Sequence, residues 1–221
     1  MTTRRGRTRI AVVGAWPLLR RGIIDLISRD LGYRVCTEAT NPGQALNAVN
    51  DEGPDAVVLD LSMDGLSGLE VLRSMHQSSP RVPILVVAPY RSGALAARVL
   101  QAGATGYVTQ HDTAEDVARA IETVLEGARY VPEELKSTMV DHLLQGRAGA
   151  DPAADLSDRE LEVFHLLGRG RSSSRIAKSL GISEKTVHTH RESIKRKLGL
   201  ESASELVHAA TLWLSELSGG L

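Results

Sequence analysis

Residues 183–198 read SEKTVHTHRESIKRKL, a stretch that predicts an amphipathic helix of about four turns. Ser183 is a good residue to cap the start of this helix. Val187, Ile194 and Leu198 recur at helical spacing and form an apolar seam. The opposite face carries basic or hydrogen-bonding side chains, namely Lys185, His188, Arg191, Lys195, Arg196 and Lys197. Such a helix can pack on its own domain and lie in a DNA major groove, although a solvated surface helix has the same pattern.

The residues before this basic helix predict two shorter helices. Ser157 and Glu160 have the spacing of a capping box at the start of the first one, and residues 168–170, Gly-Arg-Gly, end it. Residues 173–180 predict the second short helix, and Gly181 then turns the chain into the basic helix. A short helix, a glycine-containing turn and a longer basic helix make up the helix-turn-helix plan.

The whole segment, residues 156–200, resembles the DNA-binding domain of LuxR/FixJ/NarL-type regulators. The matching sequence is LSDRELEVFHLLGRGRSSSRIAKSLGISEKTVHTHRESIKRKLGL. The resemblance implies phosphate contacts for Ser174, Arg175, Lys185 and Thr186. It implies base-edge positions for His188, Thr189 and Glu192, with Arg191 and Lys195 beside them. Two alternatives stay open, since His190 also suits packing and Glu192 also suits an ion pair with Lys195 or Arg196.

Charge is distributed unevenly along the chain. The formal net charge is −1, yet residues 169–198 carry nine Lys or Arg against two Glu, a net +7, which leaves −8 for the rest. A basic block of this kind is expected of a surface that binds nucleic acid. The basic tail at residues 1–8 is interpreted as solubilising, with an extra phosphate contact as the alternative.

The first two thirds of the chain alternate strands with helices. Apolar runs that predict strands occur at Thr8–Val13, Tyr33–Ala39, Pro54–Leu59, Val82–Ala88 and Thr105–Thr109. Helical periodicity fills the intervals between them. This alternation predicts an α/β doubly wound, five-stranded parallel sheet with helices on both faces. Ligands of such sheets bind at the carboxyl ends of the strands.

Three phrases in this region resemble the flavodoxin-like receiver domain of response regulators: VVLDLSMDGLSGLEVLRSM, AGATGYVTQHD and ARAIETVLEGARYVPEEL. The resemblance implies a phosphoacceptor aspartate, which Asp60 matches, and a switch aromatic, which Tyr107 matches. It also implies an acidic pair that holds Mg²⁺, a hydroxyl residue and a lysine. Here the corresponding positions hold Gly14, Ala15, Ala88 and Gln110. We therefore expect a degenerate acceptor site that is not phosphorylated with Mg²⁺, and we expect no cofactor and no resident metal.

These patterns divide the chain into a basic tail at 1–8, a receiver-like domain at 9–132, a helix and flexible linker at 133–155, and a small all-α helix-turn-helix domain at 156–217. The linker sequence QGRAGADPAA, residues 145–154, lacks apolar periodicity. A last helix at 202–217 follows, and the resemblance implies that it is a dimer surface. The candidates for that surface are Leu206, Ala210, Trp213 and Leu214, although Trp213 also suits the core.

The leading functional hypothesis is a dimeric transcription regulator that binds double-stranded DNA independently of phosphate. The alternatives are a conventional phospho-switched regulator that uses Asp60 and a receiver that binds a small molecule or a protein as an interaction module. No catalytic or metal-ligand spacing supports an enzyme. The single cysteine, Cys36, suits a reducing cytoplasm, and no apolar run is long enough for a membrane span.

Overall fold

The computed structural model describes residues 8–62, 68–145 and 155–217. They form two compact units. The first comprises the chain up to Pro89 together with Arg98–Glu133, and the second comprises Tyr90–Ala97 together with Glu134–Leu221. Most of the predicted linker lies outside the described residues, and so does the basic tail up to residue 7. No described helix is long and apolar enough to cross a bilayer.

The first unit contains the predicted parallel sheet. Its strands are β1 (Arg9–Val13), β2 (Arg34–Ala39), β3 (Ala56–Asp60), β4 (Ile84–Ala88) and β5 (Gly106–Thr109). They are paired in the order β2-β1-β3-β4-β5, and each pair is parallel. Every residue of β3 and β4 is buried, as expected of strands that helices cover on both faces. The predicted fold class is confirmed.

Helices connect successive strands. They are α1 (Pro17–Asp25), which continues as a π-helical turn (Leu26–Asp30), α2 (Pro42–Glu52), α3 (Gly68–Ser78) and α4 (Gly93–Gln101). After β5 come α5 (Ala114–Leu125) and α6 (Glu133–Gln145), and the second unit includes α6 from Glu134 and α4 up to Ala97. Asn41 caps α2, because its side chain accepts a hydrogen bond from the Gln44 amide at 3.0 Å. The Thr113 hydroxyl caps α5 by accepting a hydrogen bond from the Asp116 amide at 3.2 Å.

The core on one face of the sheet is formed by α1, the π-helical turn and α5. Ile27 and Ile121 are fully buried there against strand residues such as Ile10 and Val108. On the basis of contacts, α2 packs against α3 and against β1 and β2. These two layers hold the carboxyl ends of β1, β3, β4 and β5 in one row, which is where the acceptor position lies.

We call four helices of the second unit the helical domain: α7 (Asp158–Gly168), α8 (Ser173–Leu180), α9 (Glu184–Leu198) and α10 (Ala203–Leu217). Three predicted caps are confirmed. Ser157 and Glu160 form the capping box of α7, Ser183 caps α9, and Gly181 adopts a left-handed φ of 63° that ends α8.

The core of the helical domain is built by α7, α9 and α10. Val187 and Ile194 of the predicted seam are fully buried, whereas Leu198 is half-buried. Phe164 and Trp213 meet with their ring centroids 5.4 Å apart. α7 contacts both α9 and α10, and α8 packs on α9. Consequently α9 has one side in the core and the opposite side at the surface.

Candidate nucleic-acid interface and acceptor pocket

The exposed side of α9 contains part of the recognition surface that the sequence predicts. We call it the outer face, and it consists of Lys185, His188, Thr189, Glu192 and Arg196, all of which are exposed. At 3.6 residues per turn these positions span an arc of roughly 100°. The arc is wide enough for several side chains to reach base edges or phosphates at once. Thr189 also donates its hydroxyl to the Lys185 carbonyl at 3.1 Å.

Two cations predicted for this surface lie on one flank of α9, and the first of them contacts α8. Arg191 is half-buried and donates from Nη1 to the Ser173 hydroxyl at 2.8 Å. Lys195 is also half-buried, and its Nζ lies 3.0 Å from Glu192 Oε2. Glu192 thus forms an ion pair with Lys195, which was one of the alternatives to base contact. Glu192 itself stays largely exposed, so this pair contributes little to stability.

The other flank of α9 is tied to α7 by an ion pair that the sequence did not reveal. Lys197 Nζ donates to Glu160 Oε2 at 2.6 Å, and the Ser157 amide donates to the same oxygen at 2.7 Å. Burial raises the pKa of Glu160, but hydrogen bonds from Lys197, Ser193 and Ser157 outweigh it and lower the pKa to about 2. Lys197 therefore serves the packing of α9 on α7.

The residue next to Glu160 ties α7 to α8. Arg159 Nη2 donates to the Leu180 carbonyl at 2.6 Å, and its Nη1 donates to Glu162 at 2.9 Å. Leu180 is the last residue of α8, so this bond holds the turn of the helix-turn-helix against α7. The sequence could have suggested such contacts between helices, because polar residues that flank the apolar face of an amphipathic helix lie next to the neighbouring helices.

The predicted phosphate contacts lie at the starts of α8 and α9. Ser174, Arg175 and Lys185 are exposed, whereas Thr186 is half-buried. The Thr186 amide and hydroxyl both interact with the capping Ser183 hydroxyl, at 3.0 and 2.8 Å. Helix N-termini of this kind carry partial positive charge and favour anions such as phosphate.

The four candidates for a dimer surface are distributed unequally on α10. Leu206, Ala210 and Trp213 are buried, and Leu214 is half-buried. The first three therefore pack within the unit, as the core interpretation of Trp213 foresaw. The apolar residues that α10 exposes are different ones, and the largest are Val207 and Leu212.

The acceptor position lies at the carboxyl edge of the sheet in the first unit. Asp60 is the last residue of β3 and pairs with Val87 of β4, which precedes Ala88. Ala88 in turn pairs with Thr109 of β5, which precedes Gln110. Gly14 follows β1 on the other side, and a β-carbon built there would lie 3.0 Å from the Asp60 β-carbon. Gly14 and Gln110 of the predicted degenerate site therefore border Asp60, and Ala88 lies on the adjacent strand. Ala15 adjoins Gly14 in the sequence.

The Asp60 carboxyl is buried and receives few hydrogen bonds. Its Oδ1 accepts from the Ser62 amide at 3.0 Å and from Gln110 Nε2 at 3.4 Å. Its Oδ2 accepts no hydrogen bond from any residue that the structure describes. Burial raises the pKa of Asp60, and the bonds from Ser62 and Gln110 oppose this only in part. The charged carboxylate is therefore disfavoured in this pocket.

The resemblance to receiver domains implies a bound Mg²⁺ ion next to Asp60. The described residues around Asp60 do not provide the ligands that such an ion needs. Mg²⁺ is bound by several oxygen ligands, usually including one or more carboxylates. Gly14 and Ala15 offer no side-chain oxygen, and no three His, Cys, Asp or Glu side chains within residues 8–62, 68–145 and 155–217 converge as ligands. Among the described side chains at this site, Asp60 thus has no second carboxylate beside it with which to bind Mg²⁺.

The Asp60→Asn variant is expected to be more stable than the wild type at neutral pH by about 1 kcal/mol. Burial raises the folded-state pKa of Asp60, so the folded state binds a proton more tightly than the unfolded chain. Stability is thus lost as pH rises through the folded pKa. Urea unfolding followed by circular dichroism should give a gap between the two proteins that closes toward acid pH. A gap that is independent of pH would contradict the pKa direction.

Comparisons with known proteins agree with both units. Residues 10–122 match the response regulator receiver domain, and residues 154–210 match the bacterial regulatory proteins of the luxR family. Response regulator UvrY of Escherichia coli K12 is 30% identical over 201 residues, which cover 91% of this chain and 92% of that protein. Nitrate/nitrite response regulator protein NarP of the same strain is 31% identical over 207 residues, 94% of each chain.

A solved structure shows the same fold over nearly the whole length. It is RcsB of Salmonella enterica serovar Typhimurium bound to promoter rprA, with a TM-score of 0.65 at 22% identity over 92% of this chain and 98% of that one. The sheet of the first unit and the helix-turn-helix of the second thus occur together in known regulators. The chain belongs to the LuxR/NarL family of two-component response regulators, and it is a DNA-binding transcription regulator.

Proposed function

We propose that this regulator acts as a dimer and that its receiver domain works without Mg²⁺-dependent phosphorylation of Asp60. The observation that carries the proposal is the chemistry of the acceptor pocket. Asp60 is 2% exposed and borders Gly14, Ala88 and Gln110. None of these side chains supplies a charge that could stabilise an incoming phosphoryl group.

The neutral pocket disfavours the acceptor reaction in two ways. A carboxylate attacks phosphorus only when it is ionised, and burial holds the Asp60 carboxyl toward its neutral form. The phosphoryl oxygens also need cations or hydrogen-bond donors as they approach. In place of a lysine, the Gln110 amide donates to Asp60 Oδ1 at 3.4 Å and to the Ser62 hydroxyl at 3.3 Å.

The relay that would report a phosphoryl group is also changed. Ala88 lacks the hydroxyl that could hold a phosphoryl oxygen, and it is fully buried. Tyr107, which is at the position of the switch aromatic, is fully buried as well. A buried tyrosine in a packed core keeps one orientation unless its surroundings rearrange. This supports a receiver that stays in a single state.

Incubation with acetyl phosphate and Mg²⁺, followed by intact-mass measurement, is expected to give no phosphoryl adduct on the wild-type protein. DNA affinity should be the same before and after that incubation, and the same in the Asp60→Asn variant. The conventional phospho-switch is the second candidate, because Asp60 does stand at the end of β3 within a matched receiver domain. A stoichiometric adduct that is absent from Asp60→Asn would establish it.

For DNA recognition, we infer that the outer face of α9 enters the major groove. His188, Thr189 and Glu192 are exposed and would face base edges, where Glu can accept a hydrogen bond from cytosine N4. Ser174, Arg175 and Lys185 would contact phosphates near the helix starts, with Thr186 held at the α9 N-terminus. Lys195 and Arg191 would lie at the edge of this surface, since both are half-buried.

Two substitutions on the outer face are expected to have different effects. Lys185→Gln should weaken binding to every duplex and reduce the salt slope of log K by about 0.9, because it removes one phosphate contact. His188→Ala should change the base preference by about 1–3 kcal/mol and leave the salt slope unaltered. Binding titrations on a library of duplexes at several salt concentrations measure both effects. Equal losses on all duplexes for both variants would refute base reading by His188.

The exposed face of α10 supports a dimer. Val207 is 37% exposed and lies about 20° around the helix axis from the half-buried Leu214, whereas Leu212, which is 48% exposed, lies about 140° from Val207. A symmetric contact through Val207 and Leu214 would hide apolar surface from water. The resulting dimer would bind two half-sites about one helical turn of DNA apart.

Control of such a regulator would come from its abundance or from a small molecule or protein that binds the receiver domain. Trp16 and Leu18, beside the carboxyl edge of β1, are apolar side chains that are 53% and 87% exposed. They support a contact with a regulator at that edge. As a DNA-binding regulator whose sequence contains a single cysteine, the protein would act in the reducing cytoplasm.

A further inference from the structure

We infer that Arg191 is a positioning residue: it holds α8 against α9 and so sets the direction in which the outer face meets DNA. The juxtaposition that carries this inference is the hydrogen bond from Arg191 Nη1 to the Ser173 hydroxyl at 2.8 Å, which joins residues 18 positions apart. The inference rests on the proposed use of the outer face of α9 for DNA binding.

The position of Arg191 around the helix axis separates it from the outer face. At 100° per residue, Arg191 lies about 60° from His188, the nearest residue of the outer face, and about 60° from the buried Ile194, so it is between the two sides. It is half-buried, whereas all five residues of the outer face are exposed. Its guanidinium therefore extends along the flank that faces α8.

Ser173 is the first residue of α8, directly after the capping Ser172. The α8 N-terminus contains the exposed Ser174 and Arg175, both proposed phosphate contacts. A bond from Arg191 to Ser173 thus fixes where these two side chains stand relative to the middle of α9. If the bond is lost, phosphate contacts on α8 and base contacts on α9 are no longer held in one geometry.

Two other clamps already hold the far ends of these helices. Arg159 binds the Leu180 carbonyl at the end of α8, and Lys197 binds Glu160 from the end of α9. Both connect to α7, and neither restrains the start of α8. The Arg191–Ser173 bond supplies a restraint at that start, directly between the two helices of the motif.

A positioning role and a phosphate contact predict different salt dependence. A side chain that neutralises a phosphate releases counterions, and its removal lowers the salt slope. A side chain that only fixes helix geometry affects the match to a specific site, which needs several contacts at once. Binding to unrelated duplexes depends mostly on charge and tolerates small changes of geometry.

The test uses the full chain and a duplex that the wild type selects from a randomised pool, with an unrelated duplex of equal length beside it. Ser173→Ala, Arg191→Gln, Arg191→Lys and the Ser173→Ala/Arg191→Gln double variant are titrated at several salt concentrations. Lys185→Gln serves as the control for a phosphate contact. Thermal unfolding followed by Trp213 fluorescence, in a Trp16→Phe background, reports whether each variant is folded.

Ser173→Ala and Arg191→Gln are each expected to weaken binding to the selected duplex by about tenfold, as for loss of a hydrogen bond to a charged group. Their salt slopes and their affinities for the unrelated duplex should match the wild type. The double variant should be no weaker than Arg191→Gln, because both changes remove the same bond. Arg191→Lys should recover part of the loss, since lysine can still donate to the Ser173 hydroxyl.

Three results would overturn the inference: a salt slope reduced by about 0.9 in Arg191→Gln, a Ser173→Ala variant that binds like the wild type, or additive losses in the double variant. Ser173→Ala removes only one hydroxyl, so it keeps the test decisive if Arg191→Gln unfolds. Failure of the proposed DNA face is distinguishable, because Lys185→Gln would then leave both affinity and slope unchanged.

Discussion

Replacing Glu160 with alanine is expected to lower the free energy of unfolding of the helical domain by about 3 kcal/mol. The substitution leaves Lys197 without its carboxylate and removes one half of the capping box on α7. For a domain of this size the loss corresponds to a fall of roughly 15 °C in the unfolding midpoint. Trp213, which is buried in this domain, reports the transition by fluorescence once Trp16 is replaced by phenylalanine.

Matched variants on α9 separate the ion pair from general effects. Lys197→Met should cost nearly as much as Glu160→Ala, because it leaves a buried carboxylate without its cation. Arg196→Met, one residue earlier on the exposed side, should change stability by less than about 0.5 kcal/mol. Equal losses in Lys197→Met and Arg196→Met would show that the Glu160 pair is not what stabilises the domain.

The same carboxyl gives the domain a defined acid sensitivity. The pKa of Glu160 is about 2 in the folded domain, below its ordinary value of 4.5. Its contribution to stability is therefore complete above about pH 4.5 and is lost as pH falls from there toward 2. Acid unfolding curves of the wild type should include this loss, and the Glu160→Ala curves should lack it.

Gly168→Ala is expected to destabilise the helical domain by about 2 kcal/mol. A β-carbon at Gly168 would lie 2.4 Å from the Ala210 carbonyl oxygen and 2.7 Å from a Leu214 methyl carbon. Because the nearest obstacle is backbone, α10 must move away from α7. Thermal unfolding of the helical domain measures the cost, and sedimentation measures any change in self-association through α10.

Gly22→Ala provides the control for a glycine within a helix. Gly22 lies in α1, and a β-carbon there would meet nothing within 4 Å. This substitution should stabilise α1 by roughly 0.5–1 kcal/mol, because alanine restricts the unfolded chain more than glycine does. If Gly168→Ala were as harmless as Gly22→Ala, the close approach of α7 and α10 would be wrong.

Much of the fold could be predicted from local patterns. The buried strands β3 and β4 appear as continuous apolar runs, and the caps Asn41, Ser157 and Ser183 mark helix starts. These signals act within a few residues, which is why they can be read along the chain.

The candidate site was predictable in position and less so in detail. The order of the strands places Gly14, Asp60, Ala88 and Gln110 along one edge, as the alternation of strands and helices implied. The burial of Asp60, and the bond it receives from Gln110 fifty residues away, depend on how the strand ends pack. No local pattern encodes the distance between two side chains on different strands.

The basic helix α9 shows most clearly which properties depend on the local sequence and which depend on tertiary packing. The sequence alone determined that residues 183–198 form an amphipathic helix in a helix-turn-helix, because periodicity and caps are local properties. Only the tertiary structure decided which of its cations are bound by neighbouring helices. Arg191 and Lys197 are as basic in the sequence as Lys185, yet α8 binds Arg191 through Ser173 and α7 binds Lys197 through Glu160. Charge is a property of the residue, whereas its availability to DNA depends on the neighbours that packing brings to each flank.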